Sequence, residues 1–381
     1  MARSVPERRW TAGRQTPGPA APMSARRLGL SLLRWTGLMR LWRFRHRHHV
    51  IILYTHGVVD SRPAQAWVPL RSQLALDRLD AALRRLARHY RFISLDDAVE
   101  MLAGRKPLLP YSLVLTFDDG YRNNITHALP LLRRHRVPAT IYLATGHVEE
   151  RRPFWFDRLD YALQHAAPDE VARAVSGDAV AAGDREGLRR AYKRLRDEAK
   201  AATRDDSEMR REMEGLAAAL EAGSGRRLSD VFETDHWAGV ASWAEVRAAT
   251  GPDVTWGSHT VDHVRLGQAG PEVIRDQLAR SRDMIEAATG APCRHFAYPS
   301  GSVTPEAATL ARQAGYTSAV TTKPGTNRRG DDLMTLRRIG LPDTDSELEV
   351  LAQASGLSDA LAGWKARRRR GPGRAAGRPG A

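Results

Sequence analysis

Two adjacent carboxylates and a glycine, Asp118, Asp119 and Gly120, close the apolar run of SLVLTFDDGYRNN. Leu113 to Phe117 has the composition of a buried strand, so both acids emerge at its C-terminal end, the edge at which barrels of parallel strands carry out chemistry. Neighbouring strand residues face opposite ways, but Gly120 permits a sharp turn that brings both acids to one site. A solvated Asp-Asp-Gly turn without chemistry is the plainer alternative. A second stretch, WGSHTVDHVRL, carries His259 and His263 at i, i+4, on one face if a helix starts at Ser258. Two neutral imidazoles and one carboxylate make a three-ligand, open site for Zn²⁺ or a similar divalent ion. A third, CRHFAYPSG, places Tyr298, Pro299 and Gly301 after another strand, where a turn is the simplest reading. Each stretch follows a strand, so all three share one end of a parallel sheet. His56 likewise follows an apolar run, in ILYTHGVVD.

The elements that must position these residues form a regular alternation. Strands are expected in HVIILYT, RFISL, SLVLTF, ATIYLA, DVTWGS, RHFAYP, TSAVTT and MTLRRIGL, separated by helical patterns such as SQLALDRLDAALRRLARHY and PEVIRDQLARSRDMIEAATG. That order predicts parallel strands joined by crossover helices, and this many strands favour a barrel over an open sheet. Residues 158–225 break the alternation with Ala, Arg and Glu at helical spacing, and predict an insertion of two or three helices. Phe154, Trp155 and Phe156 stand just before it, suited either to stacking on the rings of a ligand or to anchoring the insertion. His127, His135, His147 and His236 have no partner spacing and read as surface or structural.

The chain of 381 residues has a net charge of +15, concentrated at its ends. Residues 1–50 carry eleven Arg and one Glu, and residues 364–381 carry six Arg and one Lys without an acid, which leaves 51–363 at −2. A near-neutral body argues against a groove that tracks nucleic-acid phosphates. The basic extension 1–49 includes LGLSLLRWTGLMRLW, too short and too charged to span a bilayer. It suits an interfacial amphipathic helix in peripheral contact with a membrane, or a helix packed on the main domain. No small-residue cleavage site follows it, so the expected location is cytoplasmic, or peripheral at the inner face of the membrane. The main domain is expected over 50–363 and a basic, disordered tail over 364–381. A single cysteine, Cys293, excludes an internal disulfide and reads as small and buried.

In this order and strand context, the three stretches resemble the polysaccharide deacetylase family, the NodB-type carbohydrate esterases of family 4, in its exopolysaccharide-associated branch. TFDDG is similar to the first motif of that family, HTVDH to its H-[ST]-x-x-H and FAYPSG to its third motif; the likeness runs over roughly residues 50–345. The resemblance implies an α/β fold, a distorted barrel of seven or eight β/α units with a helical insertion, and metal-dependent removal of N- or O-linked acetyl groups from a glycan. It makes Asp119, His259 and His263 ligands of a divalent ion, expected to be Zn²⁺. It makes Asp118 the catalytic base and the Tyr121 backbone N–H the oxyanion donor. Tyr298, Pro299 and Trp155 are the expected glycan contacts.

Two departures matter. Many members supply the general acid from a histidine near the C-terminus, yet no histidine follows His295, and Ala297 stands where many carry an Arg that orients the base. Arg294, Arg337 and Arg338 are candidates for the missing Arg. His56 is the candidate acid, because YTHGV is similar to an N-terminal stretch of the exopolysaccharide branch and the first and last strands of a barrel are neighbours. A carbohydrate-binding relative without full activity, or a hydrolase of another amide such as a formamide, are the alternatives.

Overall fold

The computed structural model describes residues 35–60, 67–71, 73–175, 184–202 and 205–362. The expected tail 364–381 and residues 1–34 of the basic extension lie outside the described residues. Ten strands are present among them: β1 (Ile51–Thr55), β2 (Val58–Val59), β3 (Leu74–Ala75), β4 (Arg91–Phe92), β5 (Ser112–Phe117), β6 (Ala139–Leu143), β7 (Val254–Ser258), β8 (His295–Ala297), β9 (Ser318–Val320) and β10 (Ile339–Gly340). Eight form one sheet in the order β10-β1-β5-β6-β7-β8-β9, with β4 beside the start of β5; β2 and β3 pair separately. Every pairing in the large sheet is parallel. Leu336 bridges Val320 of β9, and shortly afterwards Ile339 pairs with Leu53 of β1, so one segment links the two ends of a curled, barrel-like sheet.

Parity along the strands sorts the side chains. Ile52 pairs with Val114 and Tyr54 with Thr116; Tyr142 pairs with Gly257 and Ala297 with Val320. Ile52, Val114, Tyr142, Ala297, Val320 and Leu336 make one apolar cluster inside the curl. The alternate residues Leu53, Leu115, Ile141, Phe296 and Ala319 belong to the main core beneath the surrounding helices. Both faces are therefore buried, which is why β5 and β6 are buried throughout and mostly apolar, with only Ser112, Thr116 and Thr140 polar among them. Continued past the strand ends, the inner parity falls on His56, Asp118 and His259, and beyond Leu336 on Arg338.

The helices read as expected. Leu76–Ala87 buries Leu79, Ala82, Leu83 and Leu86, one stripe at helical spacing. Pro271–Thr289 starts on a proline and ends at Gly290 with φ 67°, the usual asymmetry of helix ends. The insertion holds four helices rather than two or three, and begins earlier than residue 158: Trp155–His165, Pro168–Ala174, Arg185–Ala202 and Asp206–Ser224. Its Met209, Met213 and Leu220 stripe packs with Phe154, Trp155, Phe156 and Leu159 as a second core. MTLRRIGL yields only a short 3₁₀ turn at Leu333–Thr335 and the two-residue β10. No helix among the described residues is long and apolar enough to cross a membrane.

Candidate active site and metal centre

Asp118 follows β5 directly, and its backbone N–H donates to Thr55 O at 3.0 Å. Its carboxylate faces Arg338, whose Nη1 and Nη2 donate to Oδ1 and Oδ2 at 2.7 Å each. Arg338 is fully buried; its Nε donates to Thr321 O and its Nη1 also to Thr116 Oγ1, and the guanidinium lies 4.5 Å from the Tyr54 ring centre. Such a fork-to-fork pair fixes the orientation of a carboxylate as a single ammonium cannot. Among the three candidates this makes Arg338 the partner of Asp118. Arg294 instead pairs with Asp96 at the surface, and Arg337 packs against Gly325. Burial works to raise the pKa of Asp118, but Arg338 outweighs it, and the carboxyl is held below its ordinary range.

Asp119 falls on the outer parity and reaches the same site through backbone conformation. It adopts φ 75° and Gly120 φ 76°. A Cβ on Gly120 would lie 2.8 Å from Leu143 Cδ2, so the turn needs glycine. Opposite stand His259 and His263. They do not share a helix face, which corrects the expectation of a helix from Ser258: both lie in the loop after β7, and positive φ at Thr260 (68°) and His263 (57°) folds that loop back. Thr260 Oγ1 accepts from Val264 N, and Gln277 Oε1 accepts from Val261 N and Asp262 N, which holds the loop in this shape.

Asp119 Oδ1 lies 3.5 Å from Nε2 of each histidine, and the three side chains bring one ligand atom apiece within 4.8 Å of one another. Both carboxylate oxygens are buried without a hydrogen-bond partner. Orphaned acceptors of this kind are costly unless a cation completes them. His259 Nδ1 lies 2.7 Å from Ala297 O, a carbonyl that only accepts, so Nδ1 carries the proton and Nε2 offers its lone pair to the cluster. Burial pushes His259 down to about 4, which keeps it neutral, as a metal ligand must be. The residues therefore fit a divalent ion, with a nitrogen-rich donor set suited to Zn²⁺ and its neighbours.

His56 continues the inner row of β1. Asn124 Nδ2 donates to its carbonyl at 2.7 Å, and Asn123 Oδ1 accepts from Val58 N, so residues just beyond the Asp-Asp-Gly turn hold the loop that carries it. Burial lowers its pKa, the negative charges of Asp119 and Asp118 oppose that, and it is in turn the largest favourable influence on the ionised form of Asp119. The backbone of Tyr121 runs beside Val240; Arg122 N→Gly239 O and Ala241 N→Gly120 O flank it and leave its own N–H outside the pairing.

The expected glycan contacts sit differently. Tyr298 and Pro299 are buried, with the Tyr298 ring edge-on to Phe296. Trp155 is only 6% exposed, and Phe154 and Phe156 stack on each other and stand edge-on to His263. Phe154, Trp155 and Phe156 join the second apolar core and so take the anchoring part expected as one of their two uses, while Trp155 also lines a cavity with Glu150, Arg152 and Arg158. His147 stacks on Phe154 and His135 pairs with Asp80, both structural as expected. Cys293 is buried.

One group was invisible in the sequence. Arg71 lies 3.7 Å from Asp119 Oδ2 and 3.3 Å from Asp157 Oδ1, donates to the Tyr121 hydroxyl, and covers the Phe156 ring at 4.5 Å. Tyr121 Oη donates to Asp157 Oδ2 at 2.6 Å, and Asp160 accepts from the backbone of Leu70 and Arg71. Burial raises Asp157 to about 6 and Asp160 to about 7. Asp157 and Asp160 interrupt the apolar pattern of FWFDRLDYAL, a sign of buried carboxylates; nothing in PLRSQ marks Arg71.

A curled parallel sheet thus carries an Asp-His-His cluster and an Arg-held carboxylate together at its C-terminal strand ends. The polysaccharide deacetylase family model matches residues 106–319, and the chain belongs to that family. Over 82 residues it is 29% identical to YxkH of Bacillus subtilis (strain 168), a protein classed with the polysaccharide deacetylases; the match covers 22% of this chain and 29% of the relative, so the chain spans under a third of that relative's length. The fold is similar to that of Streptococcus pyogenes deacetylase PplD (TM-score 0.52, 18% identity, 80% of this chain and 98% of that one). It is also similar to that of IcaB from Ammonifex degensii (TM-score 0.51, 19% identity, 81% and 97%). Deacetylases of this family are hydrolases.

Proposed function

We propose that this protein removes acetyl groups, N-linked or O-linked, from a polysaccharide or a glycan intermediate, with a divalent ion, Zn²⁺ by preference, held by Asp119, His259 and His263. The observation that carries the reading is the pairing of two carboxylates in different states: Asp119 with neither oxygen hydrogen-bonded and only the Arg71 guanidinium 3.7 Å away, and Asp118 with both oxygens tied to Arg338. Adjacent in sequence, they divide ligand and base between them. An ion bound there supplies charge to polarise the acetyl carbonyl and brings the pKa of water toward ~7.

The chain's own groups then do the rest. Asp118, ionised and held in one orientation, accepts the proton of the attacking water. The backbone N–H of Tyr121, outside the pairing with Val240, donates to the oxyanion as the carbonyl becomes tetrahedral. His56, on the first strand, donates the proton that the leaving amine or alkoxide requires. Arg338 takes the orienting part that Ala297 cannot.

The test is acetate release by metal-loaded protein from chitooligosaccharides, poly-N-acetylglucosamine and peptidoglycan, with Asp118→Asn as control and bound metal measured on the same samples. Release that disappears in Asp118→Asn at unchanged metal content supports the reading. A full complement of metal without acetate from any of the three counts against it, and favours a binding protein or a hydrolase of another amide.

A further inference from the structure

Among the described residues six large apolar side chains stand exposed, and four of them, Trp35, Leu38, Leu41 and Phe44, fall within residues 35–44. The helix Leu38–Arg45 has two unlike sides. At 3.6 residues per turn, Met39, Trp42 and Arg43 share one side. Met39 is buried, the Trp42 indole donates to Ser355 O at 3.0 Å, and Arg43 donates to His89 O and lies over the Tyr90 ring. That side fixes the helix to the barrel. Leu41 and Phe44 share the opposite side, 61% and 55% exposed, with Arg40 on one flank and Leu38 and Arg45 on the other. Arg47 covers the Phe44 ring at 4.0 Å. No Asp or Glu occurs between residues 35 and 59. An apolar strip edged by arginines and free of acids has the chemistry of an interfacial helix on an anionic lipid surface. A second copy meeting it face to face would set arginine against arginine.

The position of the strip gives the orientation. His89, Tyr90 and Tyr111 lie just before β4 and β5, and the helix itself leads into β1, so the strip sits at the N-terminal ends of the strands. The Asp119, His259 and His263 cluster sits at their C-terminal ends. We propose that the exposed side of this helix docks the protein on an anionic bilayer, with the metal centre at the far end of the barrel open to solution. A substrate reached in this pose is a glycan that extends away from the lipid surface.

Two measurements test this, and neither uses substrate. The full-length protein should co-sediment with phosphatidylcholine vesicles that contain phosphatidylglycerol, and at least tenfold less with phosphatidylcholine alone. Leu41→Glu/Phe44→Glu should cut binding to the anionic vesicles at least tenfold, and Arg40→Glu/Arg45→Glu at least fivefold, with wild-type circular dichroism because all four side chains are exposed. Equal binding by Leu41→Glu/Phe44→Glu overturns the proposal, as does a concentration-dependent dimer that this variant abolishes. Cys293 is the only cysteine and is buried, so an environment-sensitive dye can be attached through Leu41→Cys or, near the opposite end of the barrel, through Val273→Cys. Vesicles should shift the emission of the dye at 41 and not at 273; a shift at 273 alone or at both refutes the orientation.

Discussion

Replacing Arg338 with methionine removes the guanidinium while keeping an unbranched side chain in the space. Arg338 and Asp118 are 0% and 3% exposed and joined by two 2.7 Å bonds. The variant therefore strands a buried carboxylate, a change that costs about 3–5 kcal/mol of folding stability. The pH dependence carries the diagnosis. In the wild type, burial raises Asp118 but Arg338 holds it below its ordinary value. The stability this contributes is fully present above the unfolded pKa, about 3.9, and is lost as pH falls through the lower folded value. Without Arg338, burial loses its main opponent and the folded pKa rises above the unfolded one. The folded variant then binds its proton more tightly than the unfolded chain does, so its deficit is largest at pH 8 and shrinks toward acid. Urea unfolding at pH 5 and pH 8 of wild type, Arg338→Met, Asp118→Leu and the double variant measures both effects. The double variant should recover most of the loss, since it strands no charge. A loss by Arg338→Met below about 1 kcal/mol at pH 8, or one equal at both pH values, would refute the assignment.

Two further outcomes are expected. His56→Ala and the wild type should both bind one divalent ion per chain in isothermal titration, yet the variant should release acetate at least a hundredfold more slowly, within the ~10²–10⁴-fold range of general acid catalysis; unchanged turnover would remove His56 from the reaction. Phe154→Ala should lower stability by about 3–5 kcal/mol in urea unfolding, because its ring joins His147, Phe156 and Tyr121, and a loss under about 1 kcal/mol would mean that the aromatic cluster does not hold the insertion.

Much of the barrel was legible because parallel strands covered on both faces read as short, largely apolar runs rich in β-branched and aromatic residues, and each of SLVLTF, ATIYLA and DVTWGS became a strand within a residue or so of its expected limits. MTLRRIGL was misleading as a strand of full length: its job is to cross from β9 to β1, so it pairs with each only briefly. The HxxxH spacing also misled. It is the spacing of a helix face, but Gln277 and Thr260 offer the backbone of the loop other hydrogen bonds, and the same two imidazoles meet across a turn. The aromatic triplet was readable as either a sugar platform or an anchor, since burial is a property of neighbours and those neighbours, Met209, Met213 and Tyr121, are distant in sequence.

By itself the sequence determined the identities and the common edge of Asp118, Asp119, His259 and His263, because chemical type and the end of an apolar run are local properties. The same locality placed His56 at the end of the first strand. Only the tertiary structure decided which arginine serves Asp118, since Arg294, Arg337 and Arg338 are alike in type and the choice depends on which strand position continues the inner parity into the barrel. It alone introduced Arg71, whose place beside Asp119 arises because Asp160, on a helix far along the chain, captures the backbone of its loop. The division is physical: what a residue can do is written in its side chain, and whom it does it with is written in the closure of the sheet.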